Sequence, residues 1–337
     1  MTLFPRLVKL LRLPHKRALL DLQRLLRGQA RLHFLAVLAE TRMAERLRAP
    51  RQRAELATEL GVERLDLLDS FLALGVATRD LHARDDGFVV RSATARALST
   101  PSGTPLACFL REIASYHASA FRSLPESLSG APDADYLKDY GALVAGASRI
   151  VQSLLEVFVD ELTRGLDGLH ILDIGCGTAS YLTSAAMRNN EHHGIVVDVD
   201  EAVVAIAEQN LREYDLSERF VARAVDIRTA EKLSTQPFDL VLAFQNVYYF
   251  SPDERLALFE KVRAQLAKGG RFGIATVCAS QRWISQYYAL LLGATAGCYP
   301  IPRRTTLEAE LRSAGFEQVR SSRLMPADEF WGIVAYA

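Results

Sequence analysis

The second half of the chain alternates short apolar runs with amphipathic helical patterns, and this alternation limits the possible folds more than any other feature. The apolar runs are LHILDIG, GIVVDV, RFVARAVD, DLVLAFQN and RFGIATV, and helical patterns such as EAVVAIAEQNL and DERLALFEKVRAQL lie between them. Strands and helices that alternate at this spacing form βαβ units, in which a parallel sheet carries helices on both faces. The sequence therefore predicts an α/β domain with a mostly parallel sheet.

The stretch ILDIGCGTAS, residues 171–180, is a buried strand that runs into a glycine-rich turn and then a helix. Gly175 and Gly177 permit backbone conformations and a close ligand approach that a Cβ atom would block. Asp173 stands immediately before them. A carboxylate there repels a phosphate, whereas it attracts a ligand that carries an ammonium and a sulfonium group. The turn therefore favours a zwitterionic cofactor over a pyrophosphate.

Two further acids end the next two strands. Asp198 lies 25 positions after Asp173, where a carboxylate can accept both hydroxyls of a ribose. Asp226 and Ile227 end the following strand and suit an adenine amino group and its flanking apolar face. Because ligands of open α/β sheets bind outside the carboxyl ends of the strands, the three acids predict one adenosine-containing ligand. The alternative is that they cap helices in a protein without a nucleotide.

The stretch DIGCGTA resembles the first motif of the class I S-adenosylmethionine-dependent methyltransferases, (D/E)xGxGxG, with Ala179 at the third glycine position. The resemblance implies a Rossmann-like domain over residues 161–337 that binds S-adenosylmethionine and releases S-adenosylhomocysteine. It also implies a set of residues around that cofactor. The predicted cofactor-binding residues are Asp173, Gly175, Cys176, Gly177, Asp198, Val199, Asp226, Ile227 and Phe244.

Residues 50–91 read as a helix, a turn at Gly61, a second helix and a hairpin around Asp85-Asp86-Gly87, an order typical of a winged helix. With this segment included, the whole chain is similar to the two-domain small-molecule O-methyltransferases of plant and bacterial secondary metabolism. The resemblance implies methyl transfer to an oxygen or an activated carbon of an aromatic or keto-acid-like molecule. The predicted domains are 1–102 for winged-helix dimerisation, 103–160 as a helical connector that borders the active site, and 161–337 for the cofactor.

The N-terminal segment combines an apolar stripe with positive charge. Leucines recur near helical spacing from Phe4 to about Arg48, which predicts consecutive amphipathic helices and, with the resemblance, a homodimer formed through them. Residues 1–60 hold thirteen Lys or Arg against five Asp or Glu. A nucleic-acid methyltransferase or a cofactor-sensing regulator is therefore the alternative function. It is disfavoured by a second helix that carries Glu63, Asp66 and Asp69 against Arg64.

Two residues are candidates for the catalytic base. The O-methyltransferases that the chain resembles place a histidine after the fourth strand, and Tyr248 occupies that position in FQNVYYFSPDE. A tyrosine, whose ordinary pKa is about 10, needs a strong shift to act as a base at neutral pH. His117, in the connector sequence SYH, carries an imidazole that titrates near neutrality. The alternative for His117 is a hydrogen-bonded structural histidine.

The substrate site is predicted from polar and aromatic residues near these positions. The sequence YYF also resembles the α-keto acid C-methyltransferases, which bind a metal through histidines, but no histidine lies near Gln245. Amide oxygens alone make a poor transition-metal site, so no metal is predicted. The predicted substrate-binding residues are Tyr116, Arg149, Gln245, Asn246, Tyr249 and Trp283.

The composition indicates the class of protein and its cellular location. The chain has 337 residues, of which 49% are hydrophobic and 24% charged, with a net charge near zero, as in an ordinary soluble protein of two domains. It lacks a run of about 18 apolar residues, and its four cysteines include no CxxC pair. These features predict a cytoplasmic protein that binds neither membrane nor nucleic acid and has no disulfide framework.

Two local predictions concern the α/β domain. A helix over 253–266 is predicted from Ser251, Pro252 and Glu254, which are typical of a helix start, and Gly269-Gly270 should end it. The pair His192-His193 lies in a loop before the second strand and is expected to be exposed to solvent.

Overall fold

The computed structural model describes residues 15–326 and 328–337. The chain divides into two compact units, Met1–Ser115 and Tyr116–Ala337. A π-helical turn, Ile113–His117, contains this division. The three-part division predicted from sequence, at 102/103 and 160/161, stays a prediction.

The first unit is mainly helical and ends with a small hairpin and two further helices. Its helices are α1 (Lys16–Glu40), α2 (Met43–Arg46), α3 (Arg53–Leu60), α4 (Leu65–Ala77), α5 (Ala93–Leu98) and α6 (Thr104–Glu112), and its strands are β1 (Leu81–Arg84) and β2 (Gly87–Val90). The order helix, turn, helix, hairpin expected for residues 50–91 is present. Gly61 ends α3 in the left-handed conformation, with φ 62°, and β1 pairs antiparallel with β2 across Asp85-Asp86.

The apolar core of this unit lies beneath α1, α4 and the hairpin. Phe34, Leu38, Leu72 and Leu81 are at most 2% exposed. Asp80, at the start of the hairpin, is fully buried and accepts two hydrogen bonds of 2.9 Å from the Arg31 guanidinium of α1. A buried carboxylate needs such a partner, so this ion pair fixes α1 against the hairpin.

In its described part, the leucine-rich segment consists of one long helix, α1, followed by the short helix α2. α1 is unbroken for 25 residues, because no glycine or proline that stops a helix occurs between Lys16 and Gly28, and Gly28 alone does not break it. Its N-terminal half is exposed, in contrast to Phe34–Leu38. The exposed leucines are Leu19, Leu20, Leu22, Leu25 and Leu26. The predicted helical positions Leu7, Leu10 and Leu11 lie outside the described residues.

The second unit begins with three α-helices and continues as an α/β sandwich. Its helices are α7 (Ala118–Leu128), α8 (Tyr136–Ser148), α9 (Gln152–Thr163), α10 (Ser180–Arg188), α11 (Glu201–Glu213), α12 (Pro252–Gln265), α13 (Trp283–Gly293) and α14 (Arg304–Ser313). Its strands are β3 (His170–Ile174), β4 (His193–Asp198), β5 (Phe220–Ala224), β6 (Phe238–Phe244), β7 (Leu266–Val277), β8 (Gln318–Arg323) and β9 (Phe330–Tyr336).

The seven strands form one sheet in the order β5-β4-β3-β6-β7-β9-β8. β3 to β7 are parallel to one another, and β9 runs antiparallel to both β7 and β8. β3 has β4 on one side and β6 on the other. The strands that follow β3 in the chain, β4 and β5, extend the sheet toward one edge, and the strands from β6 onward extend it toward the opposite edge. The crevice beyond the carboxyl ends of β3 and β6 is where such sheets bind ligands. The predicted α/β fold is confirmed.

Both faces of the sheet are covered, which explains the continuous apolar runs in the sequence. In β6, Val241 and Ala243 belong to one buried cluster, and Leu240 and Leu242 belong to the cluster on the other face. Strand side chains alternate between faces, so a strand buried on both sides must be apolar at every position. Phe158 of α9 joins the second cluster.

α12 begins as predicted but ends differently. Ser251 accepts from the backbone N–H of Glu254, and the Glu254 side chain accepts from that of Ser251, which completes a capping box. The helix ends at Gln265 because Leu266 adopts an extended conformation and enters β7. Gly269-Gly270 lie where the register between β6 and β7 shifts. The expectation that these glycines end the helix is therefore wrong.

His192 is also placed differently from the expectation. It is 2% exposed, and its Nδ1 accepts from the backbone N–H of Leu169 at 3.2 Å. Its neighbour His193 is exposed, as expected. The loop that carries His192 closes the amino end of the sheet, so an imidazole acceptor replaces the backbone partner that Leu169 lacks there.

Among the described residues, one continuous helical stretch of 28 residues, Tyr136–Thr163, has the length and composition of a membrane span, with a mean hydropathy of 1.5 over an 18-residue window. A single stretch of this kind is weak evidence, since helices of protein cores have the same composition. Its second half, α9, buries Leu155, Phe158, Val159 and Leu162 within this unit.

Candidate cofactor and substrate site

The turn after β3 has the open backbone that the sequence predicts. Gly175 and Gly177 are both left-handed, with φ 64° and 54°. A Cβ atom on Gly177 would meet no atom of the described chain within 4 Å, whereas one on Gly175 would lie 2.6 Å from Nδ2 of Asn246. Gly177 therefore borders open space that a ligand can enter, and Gly175 is required by the packing of Asn246.

Ala179 replaces the third glycine of the motif without changing its backbone. It precedes α10 in the left-handed region, with φ 55°, and is fully buried. This conformation costs a residue with a Cβ atom about 1 kcal/mol. The surrounding turn holds it, through a hydrogen bond of 2.9 Å from the Ala179 N–H to the carbonyl of Cys176.

Asp173 is a buried acid whose carboxylate accepts no hydrogen bond from the described residues. It is 1% exposed, and neither of its carboxylate oxygens has a hydrogen-bond partner among the residues that the structure describes. Burial, with the nearby charge of Asp198 as a second cause, raises the pKa of Asp173 to about 8. An unpaired buried carboxylate is strongly unfavourable, so this position fits a cationic ligand group.

Asp198 lies at the tip of the neighbouring strand and is tied to the glycine turn. Its two oxygens accept from the backbone N–H groups of Gly177 at 3.1 Å and Asp200 at 3.2 Å. Burial raises its pKa above the ordinary value, although these backbone bonds act in the opposite direction. The next residue, Val199, is 64% exposed. The structure thus brings Asp173, the glycine turn and Asp198 together.

The third predicted acid, Asp226, is already paired with a basic side chain. Both oxygens of Asp226 accept from Nε of Arg228, at 2.9 and 3.1 Å. This bond lowers the pKa of Asp226, so the carboxylate is ionised and already paired. The adjacent Ile227 is 6% exposed and packs in the core. The role of both residues toward adenine stays a prediction, and Arg228, two positions away, was the signal that the sequence analysis missed.

Two of the predicted cofactor residues lie behind the crevice. Phe244 is 3% exposed, and its ring centroid lies 5.8 Å from that of Phe158 and 5.6 Å from that of Tyr181. Cys176 is fully buried, and burial raises the pKa of its thiol well above the ordinary value. Its backbone N–H donates to the carbonyl of Val197 at 3.0 Å, which joins the turn to β4.

The end of β6 forms the other wall of the crevice. Gln245 is left-handed, with φ 53°, and its N–H donates to the carbonyl of Ala275 at 2.6 Å. Asn246 is 5% exposed and donates from Nδ2 to the carbonyl of Ile174. Tyr248 and Tyr249 follow in a short 3-10 helix, with their ring centroids 4.8 Å apart.

His117 lies in a cluster of aromatic rings. It is 1% exposed, and its Nδ1 lies 2.7 Å from the hydroxyl of Tyr287 on α13. The Tyr116 hydroxyl lies 2.9 Å from Oγ1 of Thr295, and the Tyr116 ring stacks on Tyr140 with centroids 6.2 Å apart. Most of this cluster is not evident from the sequence, because its members come from three separate helices. The members not predicted from the sequence are Phe121, Tyr136, Tyr140, Tyr287 and Tyr288.

Two predicted substrate residues are not members of this cluster. Arg149 donates from Nε to the side chain of Gln152 at 3.1 Å, and Trp283 is 76% exposed at the start of α13. Within the described part of the chain, no group of three or more His, Cys, Asp or Glu side chains could hold a metal ion.

Comparison with known proteins identifies the domain. Residues 171–270 match the model of a family described as "Methyltransferase domain". An rRNA N(6)-adenosine-methyltransferase of Caenorhabditis elegans is 30% identical over 99 residues, which are 29% of this chain and 45% of that protein. The matched region thus spans less than half the length of that relative.

Similarity to solved structures extends over nearly the whole chain. An O-methyltransferase family protein from Burkholderia thailandensis has a TM-score of 0.76 at 17% identity, covering 94% of this chain and 97% of the other. Human N-acetylserotonin methyltransferase, in complex with S-adenosylmethionine, has a TM-score of 0.76 at 15% identity, covering 95% and 97%. Mitomycin 7-O-methyltransferase has a TM-score of 0.77 at 17% identity, covering 95% and 98%.

The residues of the crevice fit the cofactor that these findings imply. Asp173 is an acceptor without a donor, Gly177 faces open space, and Asp198 presents a carboxylate at the adjacent strand tip. Residues 171–270 therefore match a methyltransferase domain, and the chain as a whole has the fold of the solved methyltransferases that it resembles.

Proposed function

We propose that the protein is an enzyme that transfers a methyl group from S-adenosylmethionine to an oxygen or an activated carbon of a small aromatic or keto-acid-like molecule in secondary metabolism. The observation that carries this proposal is the buried, unpartnered carboxylate of Asp173 beside the open glycine turn. A sulfonium cofactor with an ammonium group supplies the cation that this carboxylate requires.

The side chains at the strand tips have distinct tasks in this proposal. Asp173 binds the ammonium group of the cofactor, and Asp198 accepts from the ribose hydroxyls, as the second acid does in related nucleotide-binding sheets. Val199 and Ile227 flank the adenine, and Gly177 allows the backbone to approach the methionine portion. When bound, the cofactor supplies an electrophilic methyl group for in-line displacement, so alignment and exclusion of water are the main tasks of the protein.

His117 is proposed as the base that takes the proton from the acceptor. With the methyl group supplied by the bound cofactor, the imidazole would accept the proton that the nucleophile loses. The Tyr287 hydroxyl, 2.7 Å from Nδ1, fixes the orientation of the ring. The π-helical turn that carries His117 supports this role, because such turns occur frequently at functional sites. Tyr248 is the second candidate base.

The aromatic cluster supports an aromatic acceptor. Tyr116 and Tyr288 lie beside His117, and the rings of Tyr136 and Tyr140 pack against Tyr116. Flat rings prefer offset or edge-on contacts with other rings, so this lining favours a planar substrate. Gln245, Asn246 and Tyr249, with Arg149 and Trp283, are the remaining substrate-binding candidates from the sequence.

Binding and turnover test this function separately. Titration calorimetry with S-adenosylhomocysteine should show one site per chain, and Asp198→Ala should weaken it at least about tenfold, since it removes hydrogen bonds to the ribose. Methyl transfer from labelled S-adenosylmethionine is then measured over a panel of phenols and α-keto acids. Binding without transfer to any of these acceptors would contradict the proposed substrate class.

Nucleic acid is the second candidate substrate, favoured by the similarity of residues in the methyltransferase domain to an rRNA methyltransferase. The helices of the first unit oppose it, because Arg53 and Arg64 are paired with Asp69 and Asp66 at 2.8 and 2.7 Å. Gel-shift assays with structured RNA and duplex DNA over a salt series decide between the two. Tight, salt-sensitive binding would favour the nucleic-acid function.

The assembly and location of the protein are also proposals. We expect a cytoplasmic homodimer formed through the N-terminal helices. The exposed leucines of α1 support the dimer, because a row of this kind is normally covered by another apolar surface.

A further inference from the structure

The orientation of the Asn246 side chain follows from its one hydrogen bond. The carbonyl of Ile174 can only accept, so the amide group must turn its nitrogen toward that oxygen. The amide oxygen, Oδ1, then points away from β3. Oδ1 is buried and finds no hydrogen-bond partner in the described residues.

Asn246 and Asp173 occupy the same corner of the sheet. Asp173 pairs with Leu242 in the register of β3 and β6, and Asn246 follows two residues after β6 ends. The Asn246 side chain packs over Gly175, whose hypothetical Cβ atom would lie 3.3 Å from the Cβ of Asn246. Gly175 is two residues after Asp173, so both polar side chains border the start of the glycine turn.

Once Asp173 is ionised, this corner therefore holds three buried acceptor oxygens, two from Asp173 and one from Asn246, without a donor in the part of the chain that is described. Buried polar groups are almost always hydrogen-bonded in folded proteins. A side chain that served only to clamp the Ile174–Gly175 turn would be expected to satisfy its oxygen as well as its nitrogen. An ammonium group, with three N–H donors and a positive charge, is the complement of this set.

We propose that Oδ1 of Asn246 binds the ammonium group of the cofactor's methionine portion together with Asp173. The proposal rests on the proposed function, since it requires S-adenosylmethionine in this crevice. It moves Asn246 from the substrate site, where the sequence placed it, to the cofactor site. The amide has two tasks: its nitrogen holds the turn in place, and its oxygen recognises the cofactor.

The test compares two ligands on the full chain by titration calorimetry. One is S-adenosylhomocysteine, and the other is its desamino analogue, in which hydrogen replaces the amino group. The ratio of their dissociation constants isolates the recognition of the amino group from every other effect of a substitution. The wild-type protein should prefer S-adenosylhomocysteine at least about tenfold, as expected for hydrogen bonds to a charged group.

Asn246→Leu keeps the size of the side chain but removes the acceptor, and it should lower this preference about tenfold. Asn246→Asp keeps an acceptor oxygen and should retain the preference, even if both affinities fall because the bond to Ile174 is lost. Asp198→Ala is the matched control, since it should weaken both ligands alike. A preference that stays unchanged in Asn246→Leu, or one that collapses in Asn246→Asp, would overturn the inference.

The outcomes also separate this inference from the proposed function. If the wild-type protein binds both ligands equally well, the amino group is not recognised, so the inference and the ammonium-binding role of Asp173 fail, whereas binding of the cofactor in this crevice stands. If the wild-type protein binds neither, the proposed function fails and takes the inference with it. Should Asn246→Leu not fold, as judged by its thermal unfolding, Asn246→Ala, which also removes the acceptor, takes its place and should show the same loss of preference.

Discussion

A carboxyl group that is buried beside a second acid stays protonated near neutral pH until a cation reaches it. Asp173 meets both conditions, since burial and the charge of Asp198 raise its pKa to about 8. Below that pH the free protein carries a neutral Asp173, whereas the cofactor's ammonium group favours the ionised form. At the scale of single residues, binding of the cofactor and loss of a proton are therefore linked.

We predict that S-adenosylhomocysteine binding at pH 7 releases close to one proton, because Asp173 changes from neutral to charged. Between pH 6 and pH 8 the affinity should rise with pH, approaching about tenfold per unit at the lower end of this range. Calorimetry in buffers of different ionisation enthalpy measures the released proton. Asp173→Asn should bind without proton release. An equal release in that variant would assign the proton to another group.

His117 and Tyr287 provide a second prediction for single residues. His117→Ala should lower kcat at least about a hundredfold, as expected for loss of a general base, while S-adenosylhomocysteine binding is retained. Tyr287→Phe keeps the ring and removes the hydroxyl that orients the imidazole, so kcat should fall less, and its pH profile should shift. Steady-state kinetics as a function of pH measure both effects. A fully active His117→Ala enzyme would make Tyr248 the remaining candidate base.

At the scale of elements, the start of a helix was more predictable than its end. The capping box of α12 depends on Ser251 and Glu254, which are three residues apart, so the sequence displays it directly. The end of α12 depends on the pairing of β7 with β6, which draws Leu266 into the sheet. The glycine pair that resembles a helix stop therefore lies in a strand irregularity instead.

We predict that Ser251→Ala lowers the free energy of unfolding by about 1 kcal/mol, since it leaves the N–H group of Glu254 without its side-chain acceptor. Chemical denaturation measures this loss. Ser251→Asp, which can accept the same bond, serves as the control and should remain within about 0.5 kcal/mol of the wild type. A loss in Ser251→Asp as large as in Ser251→Ala would show that the cap does not contribute.

At the scale of the whole molecule, the exposed leucines of α1 require an explanation. Leu25 is 70% exposed and Leu20 is 57% exposed, although the same helix buries Phe34 and Leu38. Exposed apolar rows of this kind mark interaction surfaces. A second copy of the chain is the proposed occupant, in line with the apolar stripe that the sequence displays.

We predict a homodimer that dissociates when charge is placed on this row, because a buried carboxylate without a partner is unfavourable at an interface. Light scattering should report a dimer for the wild type and a monomer for the double variant Leu20→Glu, Leu25→Glu. Arg24→Glu, on an exposed residue of the same helix that pairs with Asp21, controls for the change of charge alone. A monomeric wild type would contradict the dimer.

By itself, the sequence determined the features that depend on period and short spacing. The alternation of apolar strands with helices, the glycine turn, the acids at the strand tips and the helix cap are all encoded within about 30 residues or fewer, where chain geometry leaves few alternatives. The tertiary structure alone decided the partners of buried polar groups. His117 meets Tyr287 across 170 positions, and Asn246 meets Ile174 across 72. Such pairs form only when the sheet and helices pack, because burial then requires each polar atom to find a partner.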